Sequence, residues 1–265
     1  MEIGFVTDEI SPDVKEAIEI GVSWGINNYE LRVVGEHRIP DITADKIEQI
    51  VRLKEKFGIR ITALSPGTFK GTLKDSTITE REISETLPET FRLAKMFNAD
   101  TVIVFGFKRS HEDHADDEQQ VVDLFSRVAA SAHHHGLVIA VENEPGFWCD
   151  SGANTARILA AVNSPALRAN WDPGNSVGTD EPPFPDGYRA IKDWIANIHV
   201  KDTIRGALVE CVPVGEGVVD WPGQLRAIVQ DQAVRHVTIE THCLPLIEKS
   251  KQNLRVVKEL IAAAS

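Results

Sequence analysis

Short β-branched or apolar runs recur at 2–6, 27–32, 59–64, 101–106, 136–142, 167–172, 196–201 and 235–240, each followed by an amphipathic stretch of helical length. Their mean spacing is about 33 residues, the size of one βα unit. The helical stretches are 12–22, 43–57, 80–97, 117–135, 151–162, 186–194, 219–230 and 246–262. Strands separated by whole helices lie parallel, because only crossover connections of that length return the chain to the same end of a sheet. Eight units ending on a helix fit a closed (β/α)8 barrel better than an open doubly wound sheet, which usually has about five or six strands. The 265 residues would admit two domains, but one barrel of about 250 residues accounts for them as well. The expected fold class is therefore α/β, with a single barrel domain over 1–265. Ser11-Pro12, Thr43 before Ala44, and Ser151 read as helix starts.

Several function classes drop out. The segment after the first strand, Gly4-Phe5-Val6-Thr7-Asp8, lacks the glycine spacing of a dinucleotide site, and no Walker phosphate loop is present. A formal charge of -12 repels polyanions and argues against nucleic acid. Cys149, Cys211 and Cys243 are widely spaced, which suits buried thiols rather than a disulfide framework or a thiolate zinc site. The longest apolar runs are too short to span a bilayer, and Met1-Glu2-Ile3-Gly4 lacks a basic start, so a cytoplasmic protein with no membrane partner is expected. The acidic stretch 112–118 reads as the solvated start of the fourth helix, and 133–135, three histidines, as its end. Two long connections, 65–79 and 202–219, lie on the C-terminal rim, where barrel loops carry function; 207–212 reads as part of a small extra strand pair.

The chemistry is concentrated where four strands end. Val141-Glu142-Asn143, Trp171-Asp172-Pro173-Gly174-Asn175, His199-Val200-Lys201 and Ile239-Glu240-Thr241 close the fifth to eighth strands. Side chains alternate along a strand, so Val138, Ala140 and Glu142 point one way while Leu137, Ile139 and Val141 point to the helices. The same rule aligns Asn170 with Asp172, His199 with Lys201, and Thr238 with Glu240. Three carboxylates and one imidazole would then meet at one rim. Unpaired, the carboxylates would repel; a divalent cation resolves the conflict. Oxygen donors with one nitrogen suit Mn²⁺ first, with Mg²⁺, Co²⁺ or Zn²⁺ as further choices. Taken singly, Asp172 is also readable as a turn residue and His199 as a core histidine, whereas acids ending apolar strands are seldom buried unpartnered. Glu30 and Arg32 share a strand face and read either as an ion pair inside the barrel or as substrate contacts. Lys201 reads as a cation for an oxyanion or as an ion-pair partner of Asp172 or Glu142. Phe147 and Trp148 are candidates for a pocket wall, and Lys108 with Arg109 reads as a receiver of a phosphate or carboxylate or, in preference, as a solvated basic pair.

Almost the whole chain resembles the xylose-isomerase-like barrels, which include sugar-phosphate isomerases, ketose 3-epimerases, hydroxypyruvate isomerase and inosose dehydratase. The most specific matches are Asp172-Pro173-Gly174-Asn175, Ile198-His199-Val200-Lys201-Asp202, and Val214-Gly215-Glu216-Gly217 followed by Val219-Asp220-Trp221. The resemblance implies that Glu142, Asp172, His199 and Glu240 hold the metal, that the two glutamates flank the substrate, and that Arg205 contacts a sugar. Two positions depart from the epimerases: Asn175 stands where they often have histidine, and Trp148 where some have glutamate. Both positions are kept as substrate-binding candidates.

The resulting expectation is an isomerase or epimerase of a small polyhydroxylated carbonyl compound. A vicinal hydroxyl and carbonyl chelate the ion, and Glu142 and Glu240 serve as acid and base on the two faces of an enediolate. Dehydration on the same site, sugar binding without turnover and metal-dependent hydrolysis are the alternatives. The sequence is compatible with a homo-oligomer.

Overall fold

The computed structural model describes residues 1–204 and 210–264. Eight strands pair in chain order and close on themselves: β1 (Glu2–Val6), β2 (Asn28–Leu31), β3 (Arg60–Leu64), β4 (Thr101–Phe105), β5 (Val138–Glu142), β6 (Leu167–Trp171), β7 (Ile195–Val200) and β8 (His236–Ile239). All eight pairings are parallel, with β8 returning to β1 through Gly4 opposite Thr238. The expected strand positions agree with these to within two residues. The helix between β3 and β4 is longer than its periodicity indicates: Ser76–Arg81, Glu82–Thr86 and Leu87–Phe97 run on end to end, with a π-type turn at the middle segment.

Two helix starts differ in detail from the sequence expectation. Asp13, not Ser11-Pro12, caps Val14–Ser23, its carboxylate accepting from the backbone N–H groups of Lys15 and Glu16. Ser151 does cap Gly152–Val162 through its side chain, whereas Thr43 precedes Ala44–Phe57 without a side-chain cap bond. In the loop after β7, residues 207–209 of the expected strand pair lie outside the described residues; the pair that forms joins Asp202–Thr203 to Cys211–Val212. The Asp202 carboxylate organises this loop by accepting from the backbone N–H groups of Thr203, Gly215, Gly217 and Val219. Only glycine permits that approach at 217, where a Cβ would come 2.1 Å from Asp202 Oδ1. Cys149 and Cys243 are buried thiols, while Cys211 is half-buried.

Alternation divides the barrel cleanly. Val102, Val104, Ile139, Val141, Leu167, Ile198, Val200, Val237 and Ile239 face outward into the layer shared with the helices. Inside, Ala63, Ile103 and Ala140 form a small apolar plug. Beside it the lumen is polar: Asn197 donates to Asn170 Oδ1 at 3.0 Å and faces Glu30 and Thr238. A barrel interior filled by side chains is a packed core rather than a pore, and here it forms the floor under the C-terminal mouth. Truncating Ile103 to Ala leaves a void between two alanines that cannot close, and is expected to cost about 2–5 kcal/mol in urea unfolding.

Candidate functional site

The C-terminal mouth holds a cavity of about 240 Å³ whose lining includes Glu142, Asn175, His199, Lys201 and Glu240. Glu142 is the last residue of β5, His199 lies near the end of β7, and Asp172 and Glu240 sit immediately after β6 and β8. Their accessibilities are 4% for both glutamates, 1% for His199 and 0% for Asp172. One ligand atom from each lies within 4.8 Å of the other three. A cation with donors about 2.1 Å away separates opposite donors by about 4.2 Å, so the set fits a single divalent ion. The state of Asp172 supports the same fit. Its Oδ1 caps the short turn that follows, accepting from Asn175 N–H at 3.1 Å, while its Oδ2 meets only the Lys201 ammonium among the described residues and has a further lone pair for an ion.

Each donor is aimed by a neighbour. His199 Nε2 lies 2.9 Å from Glu30 Oε2, which turns Nδ1 toward Glu142 Oε2 (3.6 Å) and Glu240 Oε2 (3.5 Å). A carboxylate behind a ligating imidazole fixes its orientation. Glu142 accepts from the side-chain amides of Asn170 and Asn175. Glu240 is gripped by cations: Arg32 at 2.5 Å and His242 at 3.0 Å on Oε1, and Lys201 at 3.1 Å on Oε2. Lys201 also reaches Asp172 Oδ2 at 2.7 Å.

Burial would drive every one of these groups toward its neutral form, and the partners decide the outcome. For Glu240, Lys201, His242 and His199 outweigh burial and hold the carboxyl well below its ordinary range. Glu142 is lowered too, chiefly because His199 opposes the effect of burial. Asp172 stays raised by burial in spite of Lys201, and Glu30 is raised because it is wholly enclosed. His199 and Lys201 are pushed well upward against burial by the surrounding carboxylates.

The remaining sequence candidates divide. Asn175 and Lys201 face the cavity. Glu30 does not line it: the side chain is fully enclosed and acts on the site through His199. Nor does it pair with Arg32, which is drawn instead to Asp8, Glu9 and Glu240. Trp148 is also a correction. It is 3% exposed and packed in the core, with the Arg109 guanidinium 4.4 Å over its ring, so it stands behind the wall rather than on it. Phe147 packs beside Phe105, and Phe105 is the aromatic that reaches the cavity. Arg205 lies outside the described residues.

Sequence reading missed Asp8, Arg38, Lys70, Glu144 and His242, all of which line the cavity. Two of these carried a signal: His242 is two residues beyond Glu240, and Asp8 two beyond Val6, the same alternation that exposed the four ligands. Arg38 belongs to a hairpin inserted after β2, Val33–Val34 paired with His37–Arg38, and no strand periodicity leads to it. A second opening at the N-terminal end of the barrel is lined by Glu2, Asn28, Arg60 and His236 among others. There Glu2 is tied to Arg60 and to Asn28.

The four-donor cluster sits at the end of the barrel where active sites of this architecture form. Among solved structures, the IolI protein with a bound zinc atom has a TM-score of 0.82 to this chain at 16% identity, over 100% of this chain and 99% of its own. The probable 3-DHS dehydratase AsbF from Bacillus anthracis has a TM-score of 0.79 at 17% identity, covering 97% and 99%. D-allulose 3-epimerase from Methylomonas sp., in complex with D-allulose, has a TM-score of 0.75 at 16% identity, covering 98% and 96%. At such identities the likeness establishes the fold. No curated protein matches the chain significantly. The family model described as Xylose isomerase-like TIM barrel matches residues 18–260. On that match, and on the closed eight-stranded barrel it spans, the chain belongs to the xylose isomerase-like TIM barrel family.

Proposed function

We propose that this barrel, working as a single domain, is a divalent-metal-dependent isomerase or epimerase of a sugar or related polyhydroxy carbonyl compound. The observation that carries the reading is the buried convergence of Glu142, Asp172, His199 and Glu240 within 4.8 Å. These four would hold the ion, with Mn²⁺ the first choice for three oxygens and one nitrogen. Bound there, the ion would polarise the substrate carbonyl and stabilise the oxyanion of an enediolate. Everything else falls to the chain. Glu142 and Glu240 approach His199 Nδ1 from different strands and are the two groups able to take and return a carbon-bound proton. Glu142, held by two amides, is the stronger base; Glu240, held by three cations, is the weaker. Lys201 Nζ, between Asp172 and Glu240, supplies a fixed positive charge beside the developing oxyanion, and the Asn175 amide holds Glu142 in place.

Returning the proton to the same carbon from the opposite face gives epimerisation; delivering it to the neighbouring carbon gives isomerisation. Where the substrate carries a hydroxyl β to the carbonyl, the same enediolate can expel it, a dehydration like that named for AsbF. A sugar-binding barrel without turnover predicts ligand binding with no loss of carbon-bound hydrogen.

Two outcomes test the reading. The protein is expected to bind a single divalent ion per chain in a Mn²⁺ titration. Glu30→Gln, which weakens the carboxylate behind His199, is expected to lower that affinity roughly 10- to 100-fold without changing the fold. Absence of tight Mn²⁺ binding to the wild-type protein would remove the metal centre. Second, a deuterium-exchange NMR screen of ketoses, aldoses, inososes and their phosphates with Mn²⁺ is expected to find a substrate whose carbon-bound hydrogen washes out. Glu142→Gln and Glu240→Gln should each slow that exchange by about 10²–10⁴-fold. Unchanged exchange in both variants would end their acid-base assignment.

A further inference from the structure

One cation of the cavity has no carboxylate in ion-pair contact among the described residues. Arg32 is matched by Asp8, Glu9 and Glu240, and Lys201 by Asp172 and Glu240. His242 lies between Glu9 and Glu240, and Lys70 is 3.6 Å from Glu144 Oε2 with its ammonium over the Phe105 ring. Arg38 lines the same cavity, and among the described residues no carboxylate forms an ion pair with it. Its one described hydrogen bond runs from Nη1 to the Ser65 carbonyl at 3.3 Å. A guanidinium carries five N–H donors in a fixed fork, so most of this fork is left for something that enters the cavity.

The fork is also built into position. Arg38 ends the hairpin Val33–Val34 with His37–Arg38, which projects from the end of β2 beside the mouth. Gly67, with φ at +77°, presses its backbone against the guanidinium: a Cβ there would come 2.6 Å from Nη1. Partial burial, with the neighbouring Arg32 charge, holds Arg38 below the usual arginine pKa even though the more distant carboxylates of Asp8, Glu142 and Glu240 favour its charge.

We propose that Arg38 binds an anionic group, a carboxylate or a phosphate, on the molecule whose carbonyl end meets Glu142 and Glu240. The substrate class is then a sugar acid or a sugar phosphate rather than a neutral sugar. This deepens the isomerase reading and rests on it. A planar carboxylate or a phosphate accepts two parallel N–H bonds from the fork, which a neutral hydroxyl cannot reproduce. With the anion anchored at the hairpin, the reacting carbons are held at the metal ligands by a contact that does not change during the reaction.

The test is calorimetric titration of the Mn²⁺-loaded protein with sorbitol, D-gluconate and sorbitol 6-phosphate. At least one of the two anions is expected to bind roughly 10- to 100-fold more tightly than sorbitol. Arg38→Gln, which keeps a donor for the Ser65 carbonyl, should bring that preference to within about threefold, and Arg38→Lys should restore part of it. The anion that loses more in Arg38→Gln identifies the group as carboxylate or phosphate. Sorbitol binding as tightly as both anions, neither anion registering, or a preference that survives Arg38→Gln overturns the proposal. Proton chemistry is read separately by deuterium exchange. Exchange on neutral ketoses with no anion preference removes the role of Arg38 and leaves the isomerase. Anion preference without exchange on any substrate does the reverse.

Discussion

Three carboxylates held within a few ångströms of one another, away from water, are the constraint around which the mouth of this barrel is organised. Like charges at such distances in a poorly polarisable medium repel by several kcal/mol, and burial adds a further penalty to each. The chain answers with cations in permanent contact: Lys201 between Asp172 and Glu240, Arg32 and His242 on the other oxygen of Glu240, and His199 between Glu142 and Glu240. The balance is uneven. Glu240 is held ionised, Asp172 keeps a raised carboxyl with Lys201 alone at its Oδ2 among the described residues, and Glu142 is held by two side-chain amides with His199 Nδ1 at 3.6 Å. The proposed divalent ion would supply charge where the permanent cations are thinnest.

The polar lumen beneath follows from the same constraint. Glu30 and Asn197 occupy interior positions that an aliphatic side chain would fill more favourably. Glu30 even keeps one buried oxygen without a hydrogen-bond partner among the described residues. What they contribute is direction: Asn197 holds Asn170, Asn170 reaches Glu142 and His199, and Glu30 sets the imidazole. Rigid support of this kind keeps reacting groups within the tolerance that proton transfer demands. The outer layer, by contrast, is continuous and apolar, so stability and positioning are divided between the two faces of each strand.

That division explains how much was legible in the sequence. Alternation carries inward and outward facing along a strand, and the four ligands continue strands, so Glu142, Asp172, His199 and Glu240 could be aligned although about a hundred residues separate the first from the last. Alternation does not say how far into the lumen a side chain sits. Glu30 and Arg32 share a face, yet Glu30 lies at the level of His199 and Arg32 at the rim, so each found different partners from those the pattern offered. Residues on insertions escape the rule altogether. Arg38 reaches the cavity from a hairpin, and Trp148 leaves it by turning into the core beneath Arg109.

Barrels of this architecture keep the ligand set on strand ends and draw the rest of the pocket from loops. Here the two contributions have opposite electrostatic character. The ends of β5, β6 and β8 supply three clustered acids and β7 an imidazole, whereas the hairpin after β2 supplies a guanidinium with no carboxylate in ion-pair contact among the described residues. On the proposed reading, a molecule satisfying both would carry oxygen lone pairs at one end for a metal ion and a formal negative charge at the other for Arg38. Because the two ends would be recognised by separate elements, that reading lets loop changes alter which anion is accepted without disturbing Glu142 and Glu240, and lets a strand-end substitution abolish turnover while leaving binding intact. The barrel floor, which carries Glu30, Asn170 and Asn197, joins the strand-end cluster through His199 and, among the described residues, makes no hydrogen bond to Arg38, so on the same reading it serves the chemistry rather than the choice of substrate.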